Sequence, residues 1–373
     1  MGTENWPQAA RIVHLLGGGR VENPIGDTAF FHPNTLANKQ AEIKLPSYGA
    51  LYPGIEQLGQ TIVGVEFIQS ADELTGERPP QWRPFHKHGW TIWPAEDLTR
   101  KWSQISHAAF KKEEGQLWDI ASKISYQLEM VSWRFKDISD AYYKQLMARH
   151  ISKEFKKGNN FEDCNTQFMY MAIQSFLVDL CVLRDFLAEF AWNYEIKRHY
   201  TKSSRVDSMA LLRKQITANK IPPSCPLAKH IISITEKKSW LNKLSAYRNL
   251  IVHTAPLAQS ESRLFASCSS FPMSDEQEMP AIRCPIPDDP WAVKVSRDSG
   301  KQFACFEKQK DQFYKAAMGD IPSTDGLQYS YKAFGEMLRL TNNLSRYSPL
   351  EPQMPVFDST NIIGPVTITK GKR

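Results

Sequence analysis

The chain lacks the sequence features of a membrane or secreted protein. No stretch of about eighteen residues is apolar and free of charge, and the most apolar segment, 169–192, contains Asp179, Arg184, Asp185 and Glu189. We therefore predict a buried helix there rather than a membrane span. The N-terminus has no positive start followed by a long apolar block, so no secretory signal is expected. These absences predict a soluble cytoplasmic protein without membrane contact.

The chain has few cysteines, and no two of them form a CxxC motif. The six cysteines lie far apart in the sequence: Cys164, Cys181, Cys225, Cys268, Cys284 and Cys305. Such spacing favours reduced structural thiols and disfavours a zinc site. His86, His88 and His107 have no acidic or cysteine cluster beside them in the sequence, so no metal and no cofactor are predicted.

The motifs of several enzyme classes are also missing. The sequence contains no GxSxG elbow and no paired-carboxylate motif. The run Gly17-Gly18-Gly19-Arg20 follows an apolar segment, but no GK[ST] comes after it. We therefore predict a turn at this run rather than a phosphate-binding loop.

What the chain does have is the composition of a folded protein and one strongly basic segment. Hydrophobic residues make up 42% and charged residues 23% of the 373 positions, which excludes disorder as the main state. Segment 196–243 holds eleven Lys or Arg against Asp207 and Glu236, a net charge of 11 − 2 = +9, whereas the whole chain carries +6. Clustered positive charge can follow a phosphate backbone, although a solvated helical surface fits the count equally well.

The pattern of apolar residues divides the chain into three regions. Region 1–94 is rich in Gly and Pro, with a strand predicted at 61–67 and an irregular aromatic loop at 81–94. Region 95–258 is helical. Region 259–373 is predicted to hold a β-hairpin within 291–307 and helices at about 307–318 and 328–346. The predicted fold class is mainly α, a helical bundle with β-containing N- and C-terminal elaborations.

Four helical segments are predicted in the central region. They are 95–157, 165–198, 204–219 and 226–256. The sequence indicates a break in the first segment near Gly115 and an interruption of the fourth around 237–239. Short connections between long helices are typical of a bundle.

The last of these segments contains the most informative motif, WLNKLSAYRNLIVHTAP at 240–256. At 100° per residue, one stripe of a helix holds four apolar residues: Trp240, Leu244, Tyr247 and Ile251. The opposite side holds four polar residues: Asn242, Ser245, Asn249 and His253. Arg248 lies on the flank. His253 is therefore predicted to lie away from the core, in a groove or as an ordinary exposed histidine near a helix C-terminus.

Arg248-Asn249-Leu250-Ile251-Val252-His253 resembles the Rx4–6H motif of the HEPN superfamily of small helical bundles. In that family a polar residue commonly follows the arginine, as Asn249 does here, and the motif comes late in the bundle. The resemblance covers 95–258 by architecture and 240–256 by residue pattern. Two other segments, 83–88 and 100–107, match the arginine–histidine spacing without this context.

The resemblance implies a metal-independent endoribonuclease of the toxin or phage-defence type, which leaves 2′,3′-cyclic phosphate ends. His253 would act as general base or acid, and Arg248 would clamp the scissile phosphate. Asn249 would orient His253 or hydrogen-bond the phosphate. The RNA-binding residues predicted from the basic segment are Lys197, Arg198, Lys202 and Arg205. Asp185 and Glu189, one helical turn apart, are candidates because acidic residues of the second helix sometimes join such sites, but ordinary surface or bundle-edge charges are the favoured interpretation.

A homodimer is predicted as well. Arg248 and His253 are five positions apart, so they point about 140° away from each other on a regular helix. In addition, one histidine alone supplies few groups for acid–base catalysis. A composite site between two chains would solve both problems, as is usual in HEPN nucleases. The expected partners are RNA, a second copy of the chain, and an antitoxin or trigger protein. Two alternatives stay open: a non-catalytic HEPN-like module that binds RNA, nucleotide or protein, and a structural helical adaptor.

Overall fold

The computed structural model describes residues 9–200, 205–218, 225–253, 257, 264–273, 277–293 and 322–354. Within these ranges long helices form the core, and an antiparallel sheet and smaller β-elements pack around it. None of the described helices is long and apolar enough to cross a membrane. The predicted helical core with β-containing N- and C-terminal regions is confirmed, but the size of the N-terminal sheet makes the fold mixed α/β rather than mainly α.

The N-terminal sheet has six strands in the order β4-β3-β2-β1-β5-β6, and every neighbouring pair is antiparallel. The strands are β1 (Ala10–Leu15), β2 (Arg20–Asn23), β3 (Thr28–His32), β4 (Glu42–Lys44), β5 (Ile62–Ile68) and β6 (Gln81–Pro84). Two short helices, α1 (Leu51–Gln57) and α2 (Ala71–Thr75), lie between these strands in the chain. The predicted strand at 61–67 is confirmed as β5.

Two further predictions for the N-terminal region have opposite outcomes. Gly17 and Gly18 form the turn between β1 and β2 with φ of +84° and +93°, which glycine adopts without steric penalty, so the predicted turn is confirmed. The aromatic loop predicted at 81–94 is wrong at its start, because β6 pairs with β5 there. Trp82 is buried in this strand and its indole N–H donates to the carbonyl of Ser132, a contact that no local pattern predicts.

The helical core is built from seven helices of the described chain and one irregular segment. The helices are α3 (Pro94–Lys111), α4 (Gly115–Ile151), α5 (Cys164–Ala191), α6 (Met209–Ala218), α7 (Pro226–Thr235), α8 (Trp240–His253) and α9 (Gly326–Ser345). After α5 the chain continues through a π-helical turn (Trp192–Ile196) and a 3-10 turn (Lys197–His199).

Both predicted breaks in the long helical segments are confirmed. The chain leaves the helix between α3 and α4 just before Gly115, where Glu113 has a φ of +59°. It leaves the helix again between α7 and α8, where Lys238 has a φ of +72°. Helix α4 ends at Ile151 rather than near Lys157, so the predicted end is several residues too late.

The C-terminal region contributes directly to the core. Phe334 of α9 packs edge-on against Phe135 of α4 and Phe176 of α5, with ring centroids 5.7 and 5.9 Å apart. The small strands are β7 (Asn160–Phe161), β8 (Ala266–Pro272), β9 (Glu278–Arg283), β10 (Pro285–Pro287) and β11 (Ser323–Asp325). Residues 291–293 are helical, so the prediction that the first strand of the hairpin begins at Trp291 is wrong. The rest of that hairpin and the helix predicted at 307–318 lie outside the described residues.

Candidate functional site

Helix α8 carries the arginine–histidine motif and is held in the core by its apolar side. Leu244 and Tyr247 are fully buried, as predicted, whereas Trp240 and Ile251 are only partly buried. Leu241 and Leu250 are fully buried instead, and they were not part of the predicted stripe. The difference arises because α8 packs against α5, α7 and α9 at once, so its buried face is wider than one stripe.

Asn242, Ser245 and Asn249 of the polar side of α8 line a cleft of about 470 Å³, which we call the arginine cleft, whereas His253 is exposed and is not part of its lining. Polar side chains from three parts of the chain line this cleft. They are Arg184 and Asp185 of α5, Ser208 just before α6, Arg213 within α6, and Asn242, Ser245, Arg248 and Asn249 of α8. Trp291 lines it as well. Three guanidinium groups and one carboxylate therefore meet in one cavity.

Arg248 and His253 are brought together within one chain. Nη1 of Arg248 lies 3.2 Å from Nε2 of His253 and 3.3 Å from Oδ1 of Asn249. A guanidinium can only donate, so Nε2 of His253 is the acceptor in this contact. The prediction that the two side chains point apart is wrong, because the guanidinium of Arg248 reaches the imidazole of His253, the last residue of α8.

The charge of Arg248 is left without a carboxylate partner among the described residues. Arg184 forms a two-point ion pair with Asp185, with N···O distances of 2.9 Å. Arg213 donates to the carbonyl of Thr235 at the end of α7, 2.7 Å away. Among the described residues Arg213 and Arg248 both have neutral partners, so these two guanidinium groups of the cleft keep charge available for an anion, and Arg248 is the one that also contacts His253.

Asp185 has a structural role in the cleft. Its carboxylate accepts from Arg184 and from the backbone N–H of Met209, 3.0 Å away, where α6 begins. Burial alone would lower the pKa of Arg184, but the hydrogen bonds and charge of Asp185 contribute to raising it, so this guanidinium stays charged. The sequence favours a surface or bundle-edge charge at Asp185 and does not reveal this contact, because its partner Met209 lies 24 residues away in the chain.

Two more cleft residues, Arg184 and Trp291, were not found from the sequence. Arg184 Nη1 donates to Oγ of Ser245, 2.7 Å away, and so ties α5 to α8 beside the motif. The indole N–H of Trp291 donates to Oδ1 of Asn242, 3.2 Å away, and 38% of this residue is exposed. From the sequence, Trp291 is predicted to lie in a hairpin. Because Trp291 lies 49 residues after Asn242 in the chain, no local pattern indicates that it reaches the cleft.

The predicted RNA-binding residues lie apart from the cleft lining. Lys197, Arg198 and Arg205 are exposed, and Lys202 lies outside the described residues. Lys197 and Arg205 line a separate cavity of about 370 Å³ together with Glu189. Arg198 pairs with Glu195, 2.5 Å away, which neutralises part of the basic segment.

The two other segments with arginine–histidine spacing are electrostatically different from the motif in α8. Arg83 and Arg100 both form ion pairs with Glu96, at 2.8 and 3.0 Å. They share the one carboxylate of Glu96, whereas Arg248 has no carboxylate partner within the described part of the chain. This contrast agrees with the choice of Arg248 from sequence context.

A comparison of the chain with models of protein families finds no match, and searches of curated proteins and of solved structures find none either. The resemblance to HEPN proteins therefore rests on the motif in α8 and its helical setting.

Proposed function

We propose that the chain is a metal-independent endoribonuclease of HEPN type, with Arg248, Asn249 and His253 as its catalytic residues. The observation that carries this proposal is the guanidinium of Arg248, which has no carboxylate partner among the described residues, lines a polar cleft and lies within hydrogen-bond distance of His253. A fixed cation beside a proton acceptor suits the cleavage of a phosphodiester that carries its own nucleophile, the 2′-hydroxyl of RNA.

In the proposed reaction, the guanidinium of Arg248 turns from His253 to the phosphate, and the freed Nε2 of His253 takes the proton of the 2′-hydroxyl. The 2′-oxygen then attacks the phosphorus, and the bond from phosphorus to the 5′-oxygen of the next nucleotide breaks. The products are a 2′,3′-cyclic phosphate and a 5′-hydroxyl, whose proton comes from a second histidine. Arg248 stabilises the charge on the phosphate oxygens through two N–H donors, and Asn249 holds Arg248 by its side-chain oxygen.

The second histidine is proposed to come from a second copy of the chain. Because Arg248 and His253 already meet within one chain, a dimer is not required to bring them together. It is required only to supply a separate proton donor, since a general acid and a general base act at opposite ends of the scissile bond.

Single-stranded RNA is the substrate that suits the cleft. Trp291 offers an indole face beside the arginine residues, and unpaired bases stack on such faces. Lys197, Arg198, Lys202 and Arg205 are proposed to contact phosphates beyond the cleft. The role as a toxin or phage-defence effector, controlled by an antitoxin or trigger protein, follows by analogy with HEPN proteins.

The alternative is a non-catalytic module that binds RNA, nucleotide or a protein. One observation favours it: Nε2 of His253 already accepts a hydrogen bond from Arg248, so the pair could serve as a structural contact at the end of α8.

RNA cleavage by purified variants separates the two functions. We expect the wild-type protein to cleave single-stranded RNA in buffer containing a chelator, and Arg248→Ala and His253→Ala to lose cleavage while keeping the wild-type circular dichroism spectrum. Arg100→Ala and His230→Ala, at exposed positions outside the cleft lining, are matched controls that keep full activity. Binding of RNA without cleavage by the wild-type protein would favour the alternative.

A further inference from the structure

The end of α5 is irregular in a way that brings metal-binding side chains together. The π-helical turn at Trp192–Ile196 and the 3-10 turn at Lys197–His199 contain Glu195 and His199. Oε1 of Glu195 lies 3.4 Å from Nε2 of His199. π-Helical turns are rare and are frequently found at functional sites.

A third ligand comes from a different element. Cys225 is fully buried just before α7, and its sulfur lies within 4.8 Å of the ligand atoms of Glu195 and His199, which also lie within this distance of each other. We call these three residues the Glu195 cluster. A tetrahedral zinc ion holds its ligand atoms about 3.5 Å apart, given bonds of about 2.0–2.3 Å, so small side-chain movements suffice.

The chemistry of the donors selects the metal. A thiolate, an imidazole and a carboxylate together form a set that Zn²⁺ prefers, whereas Mg²⁺ and Ca²⁺ prefer oxygen ligands alone. Three protein ligands leave the fourth tetrahedral position for water. The buried hydroxyl of Tyr200, next to His199 in the chain, has no hydrogen-bond partner among the described residues and is a candidate partner for that water.

A second cluster with suitable residue types shows why this one is different. His14, Glu66 and Asp140 also lie within 4.8 Å of one another, but Lys136 pairs with both acids and Arg20 pairs with Asp140. These cations already occupy the place of a metal ion. In the Glu195 cluster the neighbouring cation is Arg198, whose side chain is 64% exposed and can turn into solvent.

We propose that Glu195, His199 and Cys225 bind one Zn²⁺ ion with a water as fourth ligand. Binding removes the proton from the Cys225 thiol and releases it to solvent, because zinc binds the thiolate. The ion would join the end of α5 to the start of α7 and so fasten both ends of the segment that carries α6. Since α6 contributes Arg213 to the arginine cleft, the ion would stabilise one wall of that cleft. The sequence predicts no metal because the third ligand, Cys225, lies 26 residues after His199 and forms no CxxC motif.

Elemental analysis of the full chain, purified without a metal-affinity tag and incubated with zinc before desalting, tests the proposal. We expect about one zinc per chain for the wild type. His199→Gln and Cys225→Ser should each retain on the order of tenfold less. His230→Gln and Cys164→Ser are the matched controls, at exposed positions outside the cluster, and they should keep the wild-type stoichiometry.

Cobalt substitution gives a readout that does not depend on the folding of variants. After removal of zinc from the wild-type protein, addition of Co²⁺ should produce visible bands of tetrahedral cobalt and a thiolate-to-cobalt charge-transfer band. Wild-type protein that binds no zinc and gives no thiolate band with Co²⁺ would overturn the proposal. Unchanged zinc content in folded Cys225→Ser would overturn it as well.

Discussion

The guanidinium of Arg248 and the imidazole of His253 lie 3.2 Å apart, although the two residues leave helix α8 in directions about 140° apart. Nε2 of His253 is the acceptor in this contact, so the proposed general base becomes available once the Arg248 guanidinium has turned to a phosphate. The contact also places a permanent positive charge where a phosphate next to that base would lie.

Arg248→Lys tests whether Arg248 contacts the phosphate at two points. An ammonium group supplies charge but not the planar pair of donors, so we expect the RNA cleavage rate to fall on the order of 10²-fold, close to that of Arg248→Ala. Cleavage rates at saturating RNA are the measurement. Full activity in Arg248→Lys would show that charge alone suffices.

The dependence of cleavage on protein concentration tests the composite site. If a second chain supplies the acid, specific activity should fall on dilution below the dimer dissociation constant while the circular dichroism spectrum stays constant. Light scattering over the same concentrations should report the dissociation. Constant specific activity in a range where the protein is monomeric would exclude a shared site.

Trp291→Ala tests the stacking of a base in the arginine cleft. Loss of one base–aromatic contact is expected to weaken RNA binding by about 1–3 kcal/mol and to raise KM on the order of tenfold, with kcat less affected. Trp291→Phe should keep most of the affinity, and Trp118→Ala is a control at an exposed tryptophan outside the cleft lining. Equal effects of Trp291→Ala and Trp118→Ala would argue against the contact.

Protonation of the buried His86 at acidic pH is expected to lower the free energy of unfolding. Burial lowers the pKa of His86 to about 4, and its Nε2–H donates to the carbonyl of Tyr331 in α9, 2.9 Å away. In the folded protein the pKa of His86 lies below its ordinary value of 6.5. The contribution of neutral His86 to the free energy of unfolding is therefore complete above pH 6.5 and is lost as the pH falls towards 4. The loss amounts to about 3 kcal/mol at most.

Denaturant unfolding at pH 7 and pH 5 measures this effect. The free energy of unfolding of the wild type should fall more over this interval than that of His86→Gln, which cannot take up the proton. His230→Gln, at an exposed position, should behave like the wild type. The same pH dependence in wild type and His86→Gln would contradict the assignment.

The sequence predicts the helical segments well because their signals are local. Pro94 begins α3, Gly115 follows a break, and the polar side of α8 is visible from the spacing of Asn242, Ser245 and Asn249. These features depend on capping, backbone freedom and helical periodicity, all of which act over a few residues.

The rest of the site depends on contacts between distant parts of the chain. Arg184 reaches Ser245 across 61 positions, and Trp291 reaches Asn242 across 49. The burial of Leu241 and Leu250 requires knowledge of which helices surround α8. No periodicity in one segment carries that information, so the cleft around Arg248 emerges only from the folded chain.

The most direct test of the proposed catalysis is the cleavage of one oligoribonucleotide with and without a 2′-deoxyribose at the mapped scissile position. The proposed mechanism predicts a 2′,3′-cyclic phosphate product, detected by mass spectrometry, in the presence of a chelator. It predicts that the deoxy-substituted oligonucleotide is bound but not cleaved at that position, because the nucleophile is missing. Cleavage of the deoxy-substituted oligonucleotide at the same position, or a strict requirement for Mg²⁺, would contradict it.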